Sequence, residues 1–347
     1  MKLTFRSTEP PLPTATTAAC GAGMDFGSQS AKVVLATAST SPRIVAACRL
    51  VYPAEIVGDP IKQAAFVAEW VDQWSAATVR KAHCALPLSL TDYEATDLAP
   101  SQTDPEQAAA EKLGQVLGGG AAQVTADHWV TSCPDRPQRL HVLWASRDLA
   151  AGVTREMVRR RLPCRSLSAS PATLGIVATA SGEGARLIVD LGVNSAAFAF
   201  VESGVVTYAR PRVAIRTSEA LATLTALLGV SPWAAETMVA EWGCIPGGGP
   251  IADSVQKSFA PWLRSLRFEL QRTLGYLDGV GSSAHPTEVL LCGGGAELRG
   301  ADRWLSEQLG LTVKTCPPPA AAEWHAAEPY SPVFATAAAL AVSGGSA

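Results

Sequence analysis

Two hydrophobic periods alternate along this chain. In the first, short apolar runs are broken by Gly, Ser and Pro: Gly23–Phe26, Ala31–Ala36 and Arg43–Val51. Such runs bounded by turn residues predict strands, with Gly27–Ser30 and Ser39–Pro42 as the turns. In the second, apolar residues recur at steps of three and four. Phe259, Leu263, Leu266, Leu270, Leu274 and Leu277 form one such stripe and predict a single amphipathic helix ending near Gly279–Ser283. Phe66–Trp74 predicts a helix for the same reason, and Cys84–Pro87 a strand end.

The texture changes at Tyr93. Thr103-Asp104-Pro105-Glu106 is a helix start, with Thr103 or Asp104 as cap and an acid in the first turn. The helix runs through Ala108–Leu117 to a Gly118–Gly120 stop. His128–Val130 and Leu140–Trp144 predict strands, and Arg147–Leu162 a second helix. Together these make an inserted α+β subdomain over 89–165, about 75 residues, enough for a compact unit.

The second half repeats the opening. Arg186–Gly192 is a strand into a Gly turn; Ala196–Val201 and Val205–Ala209 follow as strands around a hairpin turn at Glu202-Ser203-Gly204. Two units headed by apolar-Asp-x-Gly thus lie half a chain apart, which predicts two related lobes. Glu288–Cys292 then reads as a strand leading into Gly293-Gly294-Gly295 and a helix through Leu309. The expected division is a leader at 1–22, a first lobe at 23–88 plus 166–185, the insert, a second lobe at 186–212 plus 287–347, and a helical part of it at 213–286.

Composition narrows the functions. The 347 residues are 48% apolar and carry net charge −3, enough for sizeable cores and unsuited to a nucleic-acid partner. Arg159-Arg160-Arg161 reads as a solvated helix end. The eight cysteines are scattered without a C-x-x-C pair, which predicts buried thiols rather than a disulfide framework or a zinc site. No apolar run reaches the ~20 residues of a membrane span, and the Thr/Pro-rich leader (Pro10, Pro11, Pro13) lacks a signal-peptide core. The expected place is the cytoplasm. His141, in an apolar strand, reads as a structural residue.

The candidate chemistry sits in three turns. Asp25-Phe26-Gly27-Ser28-Gln29-Ser30-Ala31-Lys32 ends a strand in a carboxylate and follows it with Gly, hydroxyls and a Lys. Backbone amides of Gly27, Ser28, Gln29 and Ser30 suit a phosphate, and Lys32 adds a charge. Asp25 would hold Mg²⁺ through water. Asp190-Leu191-Gly192-Val193-Asn194-Ser195 has the same build, with Gly192, Asn194 and Ser195 gripping from the other side and Asp190 as the second metal carboxylate. Gly293, Gly294 and Gly295 open a helix after a buried strand, where a flat ring or ribose approaches the backbone.

That order of turns resembles the actin/Hsp70/FtsA superfamily, with two phosphate loops followed by an adenosine loop. Closer details resemble the PilM family, the cytoplasmic actin-like proteins of type IV pilus systems: the opening loop at Gly23–Lys32, Glu269-Leu270-Gln271-Arg272 before the strand and triple glycine, and Leu305–Val313. The resemblance covers nearly all the chain after the leader. It implies an α/β, actin-like (Hsp70/FtsA-type) two-lobed fold with duplicated sheets and an FtsA/PilM-style insert, and ATP with Mg²⁺ as cleft ligands. It also implies Glu236 near the nucleoside. For partners it implies the short cytoplasmic tail of a PilN-like inner-membrane protein, expected to be apolar and basic, and other pilus platform components, with membrane contact only through them.

Three departures weaken the catalytic expectation. Val213-Ala214-Ile215-Arg216 stands where such proteins carry a Gly pair, Val239 where they carry Lys in Ala-Glu-x-x-Lys, and Ser170 where an acid precedes the Pro of the crossing helix. The reading is therefore a scaffold with a degenerate nucleotide site. Alternatives are a working actin-like ATPase and a GspL-like type II secretion component; FtsA-like membrane attachment lacks its amphipathic basic helix.

Overall fold

The computed structural model describes residues 20–74, 79–99, 102, 104–132, 137–182, 184–244, 248–279 and 285–343. The leader through residue 19, Thr103 and Cys133 lie outside them. Strands β1 (Cys20–Phe26), β2 (Ser30–Thr37) and β3 (Arg43–Val51) are followed by helix α1 (Pro60–Trp74) and β4 (Val79–Leu86). The insert contributes β5 (Thr91–Asp97), α2 (Pro105–Leu117), β6 (Val124–Thr131), β7 (Arg139–Ser146) and α3 (Arg147–Arg159). Then come β8 (Cys164–Ala169), α4 (Ala172–Ala180), β9 (Arg186–Leu191), β10 (Ala196–Glu202) and β11 (Val205–Val213). Helices α5 (Thr217–Leu228), α6 (Pro232–Glu241) and α7 (Pro250–Gly279) precede β12 (Glu288–Cys292), α8 (Ala301–Leu309), β13 (Val313–Thr315), β14 (Glu323–Trp324) and α9 (Ala335–Ser343).

The strands form two sheets of one topology and a small third. The first runs β14-β3-β2-β1-β4-β8, the second β11-β10-β9-β12-β13, and the insert β5-β7-β6. In each large sheet a central strand pairs antiparallel with the next strand and parallel with the one beyond a helical crossover: β1 with β2 and β4, β9 with β10 and β12. The duplication expected from the two apolar-Asp-x-Gly turns is therefore a duplication of strand order.

Two helices join the sheets. Leu174 and Val177 of α4 pack with Ile188, Ala197 and Ala199 of the second sheet and with Ala335 and Ala339 of α9. The other face of α9 covers Val34, Ala36 and Ile44 of the first sheet. Contact with β1 is so close that a Cβ on Gly23 would collide with the carbonyl of Ala337, so the position admits only glycine. This corrects the expected assignment of 287–347 wholly to the second lobe, because β14 pairs with β3 and α9 lies on β1 and β2. Small residues in α9 carry no sequence signal of which sheet they face.

Local chemistry accounts for several element ends. Asp104 caps α2 by accepting from the amides of Glu106 and Gln107. The turn at Ser203 and Gly204 has both residues at positive φ, 51° and 78°, the geometry of a two-residue hairpin that follows strand twist. Helix α7 begins earlier than its leucine stripe suggests, because Ala252 and Val255 extend the buried face past Pro261. Strands β5 and β8 were not legible: half-polar edge strands show little alternation. Cys48, Cys84, Cys244, Cys292 and Cys316 are buried free thiols and Cys164 is half-buried. No helix among the described residues is long and apolar enough to cross a membrane.

Candidate functional site

Both Asp-x-Gly turns are built alike. The amide of Gly27 donates to the carbonyl of Ser30 at 3.0 Å, and that of Gly192 to the carbonyl of Ser195 at 3.1 Å. In each, a Cβ on the glycine would sit under 3 Å from that serine carbonyl. The glycine lets the strand turn sharply while the preceding Asp stays at the strand's end.

The two turns face one cavity of about 110 Å³. It brings together Asp25, Gly27, Ser28, Gln29, Ser30 and Lys32 from the first sheet, and Asp190, Gly192, Asn194 and Ser195 from the second; Gly293 and Gly294 complete it. Of the expected site residues, Gly295 and Glu236 are not in its lining. Gly295 packs on Leu191 and Thr217, leaving no room for a side chain. Glu236, on α6, instead holds Arg49 of β3 at 2.9 Å.

Charge in the cavity is balanced and half-buried. Lys32 Nζ lies 3.7 Å from Asp25 Oδ2. Burial raises the Asp25 pKa above the ordinary carboxylate value, with Lys32 acting against it. Burial, together with the Asp25 charge, pushes Asp190 up to about 6. Two carboxylates in one cavity suit Mg²⁺, which takes one or two such ligands and keeps several waters. Among the described residues no group of three or more His, Cys, Asp or Glu could hold a metal ion.

The departures in the second half fall elsewhere than expected. Ile215 is buried in the second core, and Arg216 faces Glu219 at 3.6 Å. Neither lines the cavity. Val239 also belongs to that core. Ser170 does reach the cavity, and its hydroxyl is buried without a hydrogen-bond partner. Arg49, Thr173 and Thr336 line it too. None of these three carries a motif; pairing of β3 beside β2 and the crossing of α4 with α9 place them.

A second, larger hollow of about 700 Å³ lies between the insert and the first sheet. Its walls are Ala126 and Trp129 of β6, Ala151 and Val158 of α3, and Leu167 and Ala169 of β8. β6 and β8 are the outer strands of their sheets. Trp129 is also the seam to the second lobe: its indole N–H donates to the carbonyl of Val206 at 2.9 Å, and its ring stacks on His141.

Two lobes of duplicated topology, joined by crossing helices around a cleft with an Asp-x-Gly turn from each, define the actin-like fold. Its arrangement here is PilM-like: the chain is similar to the solved PilM-PilN type IV pilus biogenesis complex, with a TM-score of 0.73 and 18% identity over 95% of this chain and 99% of that one. It is also similar to ethanolamine utilization protein EutJ from Carboxydothermus hydrogenoformans (TM-score 0.55, 14% identity, 95% and 92% covered). Diol dehydratase-reactivating factor in nucleotide-free form matches at TM-score 0.55 and 9% identity, over 95% and 100%. No protein-family model matches the sequence, and no curated protein does.

Proposed function

We propose that this chain is an actin-like docking platform of a type IV pilus or related assembly machine, and that its groove takes the extended cytoplasmic tail of a PilN-like membrane partner. The groove between β6, α3 and β8 carries the reading. It is apolar, of ligand-binding size, and edged by two outer strands. Such strands leave backbone donors and acceptors free to pair with an extended peptide, while wall pockets select side chains. Asp127 offers a contact to a basic residue of the peptide, and Arg147 and Arg155 place opposite charge on the same rim. The likeness to a PilM-PilN complex supports the choice of partner. Its association with the inner membrane would then run through that partner, alongside other platform components.

The working units in this reading are 23–88 with 166–185, the insert at 89–165, and the second lobe from 186, with β14 and α9 returned to the first. The test is calorimetric titration with a synthetic peptide of the partner's cytoplasmic tail. Binding is expected for the wild type and lost in Ala126→Glu and Ala151→Glu, both exposed positions in the groove. A folded wild-type protein that ignores the peptide, with or without ATP, would remove the scaffold reading.

The cleft supports a subordinate role for nucleotide. Amides of both turns, Lys32, and the carboxylates of Asp25 and Asp190 would hold phosphates and Mg²⁺. Mg-ATP, when bound, would supply a phosphoryl group and its charge. The nucleoside end is not prepared in the same way: Gly295 and Glu236 are engaged elsewhere, and 110 Å³ is below the ~300 Å³ of pockets for drug-sized ligands. The site is therefore read as degenerate for catalysis.

A further inference from the structure

Two cysteines far apart in sequence meet on one face of the first sheet. β4 and β8 pair in parallel, with Ala82 opposite Cys164 and a register irregularity before His83. Side chains of a strand alternate between its faces, so Cys84 emerges on the same side as Ala82. Its Sγ lies 3.9 Å from that of Cys164 and 3.7 Å from Met157 Sδ of α3. The two thiols are unequal. Cys84 is fully buried in the first core, whereas Cys164 is half-buried. The Cys84 thiol beside it holds Cys164 below the ordinary thiol pKa, with burial acting against this. Cys84 itself is raised, by Cys164 and by burial. Burial raises Cys48, Cys244, Cys292 and Cys316 as well. Among the described cysteines, Cys164 alone combines a lowered pKa, access to solvent and a second thiol within reach. A cysteine of that kind reacts with oxidants, and a neighbouring thiol resolves the product.

We propose that Cys164 and Cys84 form an oxidation-sensitive dithiol, which hydrogen peroxide converts to a disulfide joining β8 to β4. The Cys164 thiolate attacks one peroxide oxygen: an S–O bond forms, the O–O bond breaks, and the leaving hydroxide takes up the thiol's proton as water. The Cys84 sulfur then attacks Cys164: an S–S bond forms, the S–O bond breaks, and the departing hydroxide leaves as water with the Cys84 proton. Two thiols thus give two electrons and two protons to one peroxide. Disulfide sulfurs sit about 2.05 Å apart, so the pair must close by roughly 2 Å. β8 is the strand placed to give. It is the outer strand of its sheet, and its ladder to β4 is already irregular beside Cys164. The inference needs neither nucleotide nor peptide.

The test treats the reduced full chain with a stoichiometric amount of hydrogen peroxide, blocks the remaining thiols with iodoacetamide and maps peptides by mass spectrometry. A cross-linked pair of peptides carrying Cys84 and Cys164 is expected. The intact chain should lose about 2 Da, the two thiol hydrogens, and dithiothreitol should restore both thiols. Cys164→Ser should abolish the cross-link and leave Cys84 as a thiol. Cys84→Ala should instead leave a Cys164 sulfenic acid that dimedone labels. Cys244→Ala, which removes a buried thiol of the second core, should oxidise at the wild-type rate. Both thiols still free in folded, peroxide-treated wild type would overturn the proposal, as would a disulfide from Cys164 to any other cysteine. So would a Cys164→Ser chain that loses two thiols as fast as wild type.

Discussion

Arg49 Nη2 stands 2.9 Å from Glu236 Oε2, joining β3 of the first sheet to α6 beside the second across the mouth of the cleft. Arg49 Nε also donates to Ser30 Oγ at 3.3 Å, so one guanidinium touches both the first Asp-x-Gly turn and the opposite lobe. A carboxylate predicted to meet a nucleoside is thereby used to hold the lobes together.

This pair is about a third exposed, and such pairs contribute roughly 0–1 kcal/mol. Its effect is expected on closure more than on stability. Arg49→Glu, which sets two acids face to face, should enlarge the radius of gyration in small-angle scattering, and adding Glu236→Arg should restore it. An unchanged radius in the single variant would show that the pair does not hold the lobes.

Turnover of ATP is expected to be far below the ~1 s⁻¹ scale of ordinary enzymes. Positioning an attacking water asks for a group that orients it, and Ser170 stands where the acid is missing. A phosphate-release assay showing turnover near that scale, abolished by Asp25→Ala, would instead establish an active ATPase.

His141 links pH to the stability of the insert. Its ring is fully buried, with Nδ1 2.7 Å from Tyr93 Oη and Nε2 2.8 Å from Thr131 Oγ1. Burial, helped by the positive charge of Arg139, lowers its pKa to about 4 from an ordinary 6.5. A lowered histidine pKa favours the neutral folded form, so its stabilisation is complete above about 6.5 and is lost as pH falls toward 4. The loss should be on the order of 2–3 kcal/mol. Denaturant melts between pH 7 and 4 should show it, and His141→Gln should flatten that slope while lowering stability at pH 7. A wild-type midpoint independent of pH over that window would contradict the assignment.

Gly23→Ala tests the close packing of α9 on β1. The added methyl meets the Ala337 carbonyl and the Ala341 amide, so backbone must shift. The expected cost is about 1–3 kcal/mol or more, read as a fall in the thermal midpoint. Gly58→Ala, at positive φ but in open space, gives the cost of backbone strain without collision for comparison. If Gly23→Ala melts no lower than Gly58→Ala, the packing is looser than the contact geometry requires.

Much of the fold was readable from local pattern. The leucine stripe of α7, the Asp104 cap, the Ser203-Gly204 hairpin and the two Asp-x-Gly turns are statements of short-range chemistry: period, cap and turn are decided within a few residues. The repeat of those turns half a chain apart also foretold two related sheets, because each turn needs a strand on either side of it. The residues that complete the cleft could not be read so. Arg49 is one Arg in an unremarkable strand, Ser170 and Thr173 are small polar residues, and Thr336 lies in an Ala-rich helix; only the strand order and the crossing of α4 with α9 bring them together. For the same reason the resemblance placed Glu236 near a nucleoside while the tertiary structure gives it to Arg49, and Ile215 is packed into the second core. Sequence determined which segments turn and which faces are apolar. Long-range packing, in which small residues let α9 approach β1 closely, decided which of the polar groups share a cavity.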